Sequence, residues 1–354
     1  MKQLKIGDKT TSIPIIQGGM GVGVSLSGLA SAVANNGGIG IISGVQIGFR
    51  EEDFYKNTKE ANLRALRKEI QRAKSLSPNG IIGVNLMVAI ENYADMVKTA
   101  VEEKIDLIIS GAGLPKELPE LVKWSLTKIA PIVSSGKAAA VISKLWKKRY
   151  GHLPDLIILE GPLAGGHLGF SKEELVENNQ KDLKTLLRET IDAMKPFQPD
   201  EDPKIPIVVA GGIYGGYDIK EFLDLGADGV QMGTRFVATD ECDADIGFKQ
   251  AYLKSKQEDI DYIESPVGMP GQAIINPFIE RINKEREDIK HCYRCLKACN
   301  PKTAPYCITN ALINSVKGDV DNGLVFIGKK GYLLDSIVPV KMLMEQLKNE
   351  MNLA

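Results

Sequence analysis

The segment IPIVVAGGIYGGYDIKEFLDLGADGVQMGTRF, Ile205 to Phe236, carries the pattern on which the fold turns. An apolar run, IPIVVAGG (205–212), ends in two glycines. DIKEFLDLG (218–226) follows with its apolar residues at helical spacing, and then a second apolar run, GVQMGTRF (229–236). Short β-branched and aliphatic runs bounded by glycine read as strands buried on both faces. A strand, a helix and a strand in that order predict parallel neighbours joined by a right-handed crossover.

The same kind of run occurs upstream as IPIIQGG (13–19), GIGIISG (38–44), IIGVNLM (81–87), LIISGAG (107–113), IAPIVSSG (129–136) and LIILEGP (156–162). Amphipathic segments such as LSGLASAVANN, YADMVKTAVEEK and AAAVISKLWKKRY separate many of them. Eight runs predict a TIM-type (β/α)8 barrel over residues 1–264. An open nucleotide-binding sheet is not indicated. GGMGVG (18–23) misses G-x-G-x-x-G in every frame, and GLVFIGKK (323–330) has Lys330 where a P-loop needs Ser or Thr. Two segments break the alternation. The charged stretch 171–204 reads as a helical, lid-like insertion after strand six. Residues 265–354 read as a mostly helical C-terminal extension packed on the barrel and bearing a cysteine cluster.

With 44 Lys and Arg against 45 Asp and Glu, no net field favours nucleic acid or an anionic membrane, and a small-molecule substrate is expected. The amino terminus lacks an apolar signal core and no run reaches membrane-spanning length, so a cytoplasmic protein is expected, a homodimer being one form.

In such barrels the active site lies at the C-terminal ends of the strands. Those ends are glycine-rich here (QGGMG, SGAG, AGGH, AGGI, MGT), which lets backbone N–H groups approach a ligand. AGGI (210–213) and MGTRF (232–236) end strands seven and eight, where barrels of this kind bind phosphate. A phosphate-bearing cofactor held by backbone N–H groups and a helix N-terminus is the reading.

IPIIQGGMG, GGIGIISG, IGVNLM, ISGAGLP, EGPLAGGHLG, IPIVVAGGI and VQMGTRFVAT, in this order, resemble the nitronate monooxygenase (2-nitropropane dioxygenase) family, as does GDVDNG further on. That family includes FMN-dependent enoyl-acyl-carrier-protein reductases. The resemblance implies a TIM barrel holding FMN noncovalently, with Gly19 and Met20 along the flavin ring and Asn85 bonded to the ring or ribityl chain. It also implies Glu160 at the ribityl hydroxyls, Gly165 and Gly166 near the phosphate, and Gly211, Gly212, Gly233 and Thr234 holding it. Two activities share these motifs: oxidation of a nitronate or nitroalkane with O2, and NAD(P)H-dependent reduction of an enoyl thioester or quinone. The substrate pocket is assigned to the lid and to SPVGMPG (265–271).

His167, one of only three histidines, follows two glycines at the end of strand six. Its imidazole is expected in the barrel mouth, titrating near neutrality and acting as base or anion anchor. Cys292, Cys295, Cys299 and Cys307 form C-x2-C-x3-C-x7-C. On a helix the first three would share one face. The spacing matches neither the paired C-x2-C zinc knuckle nor the ferredoxin run, and packed thiols, a zinc ion or iron–sulfur cluster, and redox disulfides all stay open.

Overall fold

The computed structural model describes residues 2–177, 179–200 and 204–353. All eight runs form strands: β1 (Ile15–Gln17), β2 (Ile39–Ser43), β3 (Ile81–Met87), β4 (Leu107–Gly111), β5 (Lys128–Val133), β6 (Ile157–Glu160), β7 (Ile207–Ala210) and β8 (Gly229–Met232). They are parallel and adjacent in chain order, and β8 pairs back to β1 with Val230 opposite Ile15, closing a TIM-type barrel. The period of two explains the unbroken apolar runs. Ile16, Ile41, Ile109 and Ile158 fill the interior while Ile15, Ile42, Ile108 and Ile157 face the helices. An amino-terminal hairpin (Leu4–Ile6 with Lys9–Thr11) adds Leu4 and Ile6 to the interior cluster.

The helices of the ring are α1 (Ser27–Asn35), α2 (Thr58–Leu76), α3 (Tyr93–Glu102), α4 (Leu118–Leu121), α5 (Gly136–Tyr150), α6 (Leu183–Met194), α7 (Gly216–Asp224) and α8 (Val340–Leu353). A Cβ at Gly40 would lie 1.9 Å from the carbonyl oxygen of Ala30, so only glycine admits the close packing of α1 on β2.

Two elements belong to the barrel more closely than the sequence suggests. The insertion expected at 171–204 is helical, but its second half is α6, the barrel's own sixth helix. Asp182 caps α6 by accepting from Thr185 N–H at 2.7 Å, and Leu186, Leu187, Thr190 and Met194 are buried, with α6 packed on α5. Only the short helix Lys172–Val176 stands apart, with Leu175 in a small cluster with Ala164 and Leu168. Residues 178 and 201–203 of that insertion lie outside the described residues.

At the other end of the chain, α8 packs between α7 and α1 and completes the ring. Its Val340, Leu343, Met344, Leu347 and Met351 are buried in the cluster that joins helices to barrel. The boundary placed at 264/265 falls in the turn of an antiparallel hairpin, Ile260–Glu264 with Pro270–Ile274. A third strand, Gly166–His167, pairs with Pro270–Ile274. Residues between β8 and α8 thus fold back over the mouth as a cap with its own core, which includes Phe248, Phe278, Tyr306 and Leu324.

If α8 is structural to the barrel, Leu347→Ala should cost about 2–5 kcal/mol in urea unfolding, as buried leucines do. Met342→Ala on the exposed face of the same helix should stay within about 0.5 kcal/mol. Equal effects would show that α8 is an appendage.

Candidate active site

The strand ends and the cap enclose a cavity of about 390 Å³. Gly19, Met20, Asn85, Glu160, Gly165, Gly166, His167, Gly211, Gly212, Gly233 and Thr234 all line it. Side chains at several of these glycines would crowd the wall. A Cβ on Gly19 would sit 2.5 Å from that of Asn85, and one on Gly165 would meet the backbone of Ile327 and Gly328 at 2.6 Å. Gly211 and Gly212 have φ of +95° and +79°, a left-handed turn that leaves backbone rather than side chains as the lining.

Of the two helix starts that follow β7 and β8, the N-terminus of α7 is already capped. Asp218 accepts from the N–H groups of Tyr214 and Gly215 at 2.7 and 3.1 Å, and Glu350 accepts from Gly216 at 2.6 Å. Carboxylates occupy the positive end of α7, so an anion is left to the glycine turns and Thr234. The Thr234 hydroxyl accepts from Gly328 N–H at 3.2 Å, and its own proton remains available to a ligand oxygen.

Three polar groups on the wall ask for a ligand. Glu160, the last residue of β6, makes no side-chain hydrogen bond among the described residues, and burial pushes its carboxyl up to about 7. The Gln231 Oε1 atom is buried without a donor among the same residues. His167 Nε2 lies 2.7 Å from Ser265 Oγ, and its ring meets Phe326 edge-on at 4.9 Å between centroids. Burial lowers the imidazole to about 4. That value favours the neutral imidazole and lies below the near-neutral titration expected from the sequence. Nδ1 is its ring nitrogen without a protein partner among the described residues.

Ser265, Phe326, Gln231 and Gln272 were not singled out from the sequence. Ser265 opens SPVGMPG, so the segment was marked although the residue was not. Phe326 lies in GLVFIGKK, read as strand-like, and is held there by a bridge to Ala273. Gln272, fully buried, donates through Nε2 to the carbonyls of Ala164 (2.9 Å) and Ile327 (3.3 Å), tying the loop after β6 to the cap.

The cysteines do not lie on a helix. Residues 285–300 lack helix and strand apart from one bridge, Ile90 to Leu296. All four are free thiols, Cys292 exposed, Cys295 and Cys299 half-buried and Cys307 buried. Among the described residues no three His, Cys, Asp or Glu side chains are gathered into a finished ligand set. No helix among them is long and apolar enough to cross a membrane.

The sequence profile described as "Nitronate monooxygenase" matches residues 2–350. A Staphylococcus haemolyticus protein named "Probable nitronate monooxygenase" is 26% identical over 86% of this chain and 83% of its own length. Among solved structures, FabK from Thermotoga maritima superposes with a TM-score of 0.75 at 27% identity, covering 97% of this chain and 93% of its own. Nitroalkane oxidase from Streptomyces ansochromogenes, at 23% identity, shares the fold with a TM-score of 0.73 over 97% of each chain.

The two buried groups pull stability in opposite directions. The folded chain keeps the Glu160 proton up to about pH 7, whereas an unfolded chain releases it near 4.5. Stability therefore falls as pH rises from 4.5 through 7. The His167 pKa of about 4 makes the unfolded chain bind the proton first, so stability also falls as pH drops from about 6.5 towards 4. In protein stripped of bound ligand, Glu160→Gln should remove the first slope and stabilise at pH 8 by on the order of 3 kcal/mol. At pH 4 it should be neutral. Parallel pH–stability curves for both proteins would show that Glu160 is solvated.

Proposed function

The chain belongs to the nitronate monooxygenase family and is a flavin-dependent oxidoreductase, and on that premise we propose that it binds FMN in the barrel mouth and oxidises an alkyl nitronate or nitroalkane with O2. The observation that carries this reading is a half-buried imidazole held by Ser265 at the edge of a glycine-rimmed cavity. A carbon acid or its anion suits such a group, and a flat, phosphate-bearing cofactor suits such a rim.

The residues present fit FMN on their own chemistry. Gln231 Oε1 is an orphaned acceptor for a ring N–H, and Glu160 is a buried carboxyl able to bond ribityl hydroxyls. Gly19, Met20 and Asn85 would flank the ring and its chain. Gly165, Gly166, Gly211, Gly212, Gly233 and Thr234 would receive the phosphate through backbone N–H groups and one hydroxyl. When bound, FMN supplies the two-electron redox chemistry.

The protein's own part is positioning and proton handling. When Ser265 Oγ accepts from His167 Nε2–H, the lone pair is left on Nδ1. With a nitroalkane, Nδ1 takes the proton from the carbon next to the nitro group, and the electron pair of that C–H bond stays on the nitronate. With a preformed nitronate no proton need be removed; in the other tautomer Nε2 accepts from the Ser265 hydroxyl and Nδ1–H donates to the anion. The cap contributes the apolar side chains of Phe326, Met269 and Leu324 to the cavity wall.

A second reading, NAD(P)H-dependent reduction of an enoyl thioester, is favoured by the likeness to FabK along nearly the whole chain. Anaerobic mixing of the purified protein with NADH, NADPH and propyl-2-nitronate in turn separates the two. Bleaching of flavin absorbance by the nitronate alone supports oxidation, and bleaching by a nicotinamide supports the reductase.

Gly233 has an ordinary φ of −120°, and a Cβ there would meet only the flexible Met20 side chain, at 3.2 Å to sulfur. Gly233→Leu should therefore keep its circular dichroism and lose FMN, and full flavin content in the folded variant would misplace the phosphate. His167→Ala should retain FMN but lose about 10²–10⁴-fold in turnover of a neutral nitroalkane, with a smaller loss on the nitronate. Unchanged rates on every competent substrate would make His167 structural.

A further inference from the structure

The balanced total of charges conceals a segregated one. Residues 116–149 contain eight Lys and Arg and two Glu, so this stretch is +6 while the whole chain is −1 and the remainder −7. The excess sits on α5, whose fifteen residues hold Lys137, Lys144, Lys147, Lys148 and Arg149 and no acid. All five are exposed. Acids on the neighbouring elements are taken by other cations: Glu120 on α4 by Lys123, Glu189 and Asp192 on α6 by Lys181 and Lys195, and Asp155 before β6 by Lys128. The five of α5 have no ionic partner among the described residues. A single cation suffices to complement the negative end of a helix, whereas α5 ends on three in a row.

The loop that leads into β5 adds an apolar tip. Trp124 and Leu126 are 93% and 86% exposed, the most exposed large apolar side chains among the described residues. Trp124 holds φ of +68°, a left-handed conformation that a bulky residue rarely adopts, and Lys123 Nζ lies 5.4 Å from its ring centroid. At that exposure, packing within the chain does not offset the strain.

Tip and basic helix lie at the same end of the barrel. α5 starts beside the cavity, where Ser134 and Ala138 line the wall, and runs down to Tyr150 at the base. The stretch 122–127 is at the base too, because it feeds the first residue of β5. Asp155 Oδ2 accepts from Ile129 N–H at 2.9 Å and so ties the start of β5 to the turn that follows α5. Lys147, Lys148 and Arg149 therefore share the base with Trp124 and Leu126, and Lys144 stands one turn above them, on the same exposed helix face as Val141 and Lys148.

We propose that this end of the barrel is a docking face for an anionic phospholipid bilayer, with Trp124 and Leu126 entering the headgroup layer and Lys123, Lys144, Lys147, Lys148 and Arg149 lying against its negative charge. An indole suits that depth because its body is apolar and its N–H polar. Lys and Arg beside apolar anchors are drawn to the surface potential of anionic lipid. The composition favours a bilayer over an acidic protein. Protein interfaces gather Arg, whose fork matches carboxylates, and are depleted in Lys. Here Lys outnumbers Arg seven to one over residues 116–149. A second copy is disfavoured because this face would meet its own like charge. The negative remainder of the chain is repelled by the same lipid, which fixes the orientation and leaves the cavity mouth towards solvent.

The test uses the full chain as purified, with vesicles of phosphatidylcholine alone and of phosphatidylcholine mixed with an equal part of phosphatidylglycerol. At low salt the protein should sediment with the mixed vesicles and not with the neutral ones, and added salt should release it. The chain has two tryptophans, and Trp146 is fully buried. A blue shift of emission on adding mixed vesicles therefore reports Trp124, and Trp124→Phe should abolish it. Each basic residue near an anionic surface contributes about fivefold to binding. Lys144→Gln/Lys147→Gln/Lys148→Gln should thus bind on the order of 100-fold more weakly, with unchanged circular dichroism. Failure of the unmodified chain to sediment with mixed vesicles at low salt overturns the proposal, as does full binding by the triple variant. A blue shift that grows with protein concentration without lipid assigns the face to a second copy, and one produced by polyglutamate but not by vesicles assigns it to an acidic protein; either overturns the bilayer. None of these readouts depends on which reaction the cavity carries out.

Discussion

The candidate active site hangs on a two-residue strand. Gly166 and His167 pair with Gln272 and Gly271 of the cap hairpin, and that pairing sets where the imidazole lies. A histidine on a free glycine-rich loop would sample many positions and titrate as in water. Here the ladder, the Ser265 bond and the Phe326 edge hold it in one place, and the same burial keeps it neutral. Gln272 extends the tie by taking up carbonyls from the loop and from the cap, which would otherwise be buried without donors.

How much could be read in advance follows from the range of each interaction. The strands were legible because both faces of each are buried, which leaves unbroken Ile, Val and Leu ending in glycine. The mouth was legible because glycine at a strand end has few other uses. α6 was obscured by its outer face, where Lys184, Arg188 and Glu189 give the stretch a solvated look, although the stripe Leu183, Leu186, Leu187, Thr190 and Met194 was present to be read. α8 shows a good apolar stripe, but no pattern says that its partners are α1 and α7, one of them some three hundred residues earlier. Likewise Ser265 lies 98 residues from His167, and only the folded chain joins them.

Glu160 and His167 share a cavity yet are driven to neutrality from opposite sides, one by keeping a proton and the other by shedding one. Between about pH 4 and about pH 7 neither group charges the wall, which then costs little to keep dry. It also leaves any charge on a bound phosphate or an anionic substrate without a competing fixed charge from these two groups. Selectivity then rests on hydrogen-bond direction, which glycine turns and a few fixed side chains can set closely.

The completion of the helix ring by α8 also bears on synthesis. Chain growth runs from the amino terminus, so β1 to β8 and seven helices emerge while the groove between α1 and α7 is still bare. Its apolar lining stays open through the whole of the cap and is covered only once α8 has itself emerged. A nascent barrel of this type carries an adhesive seam for longer than one whose eighth helix follows its eighth strand directly. Chaperone contact during that interval is the natural safeguard for it.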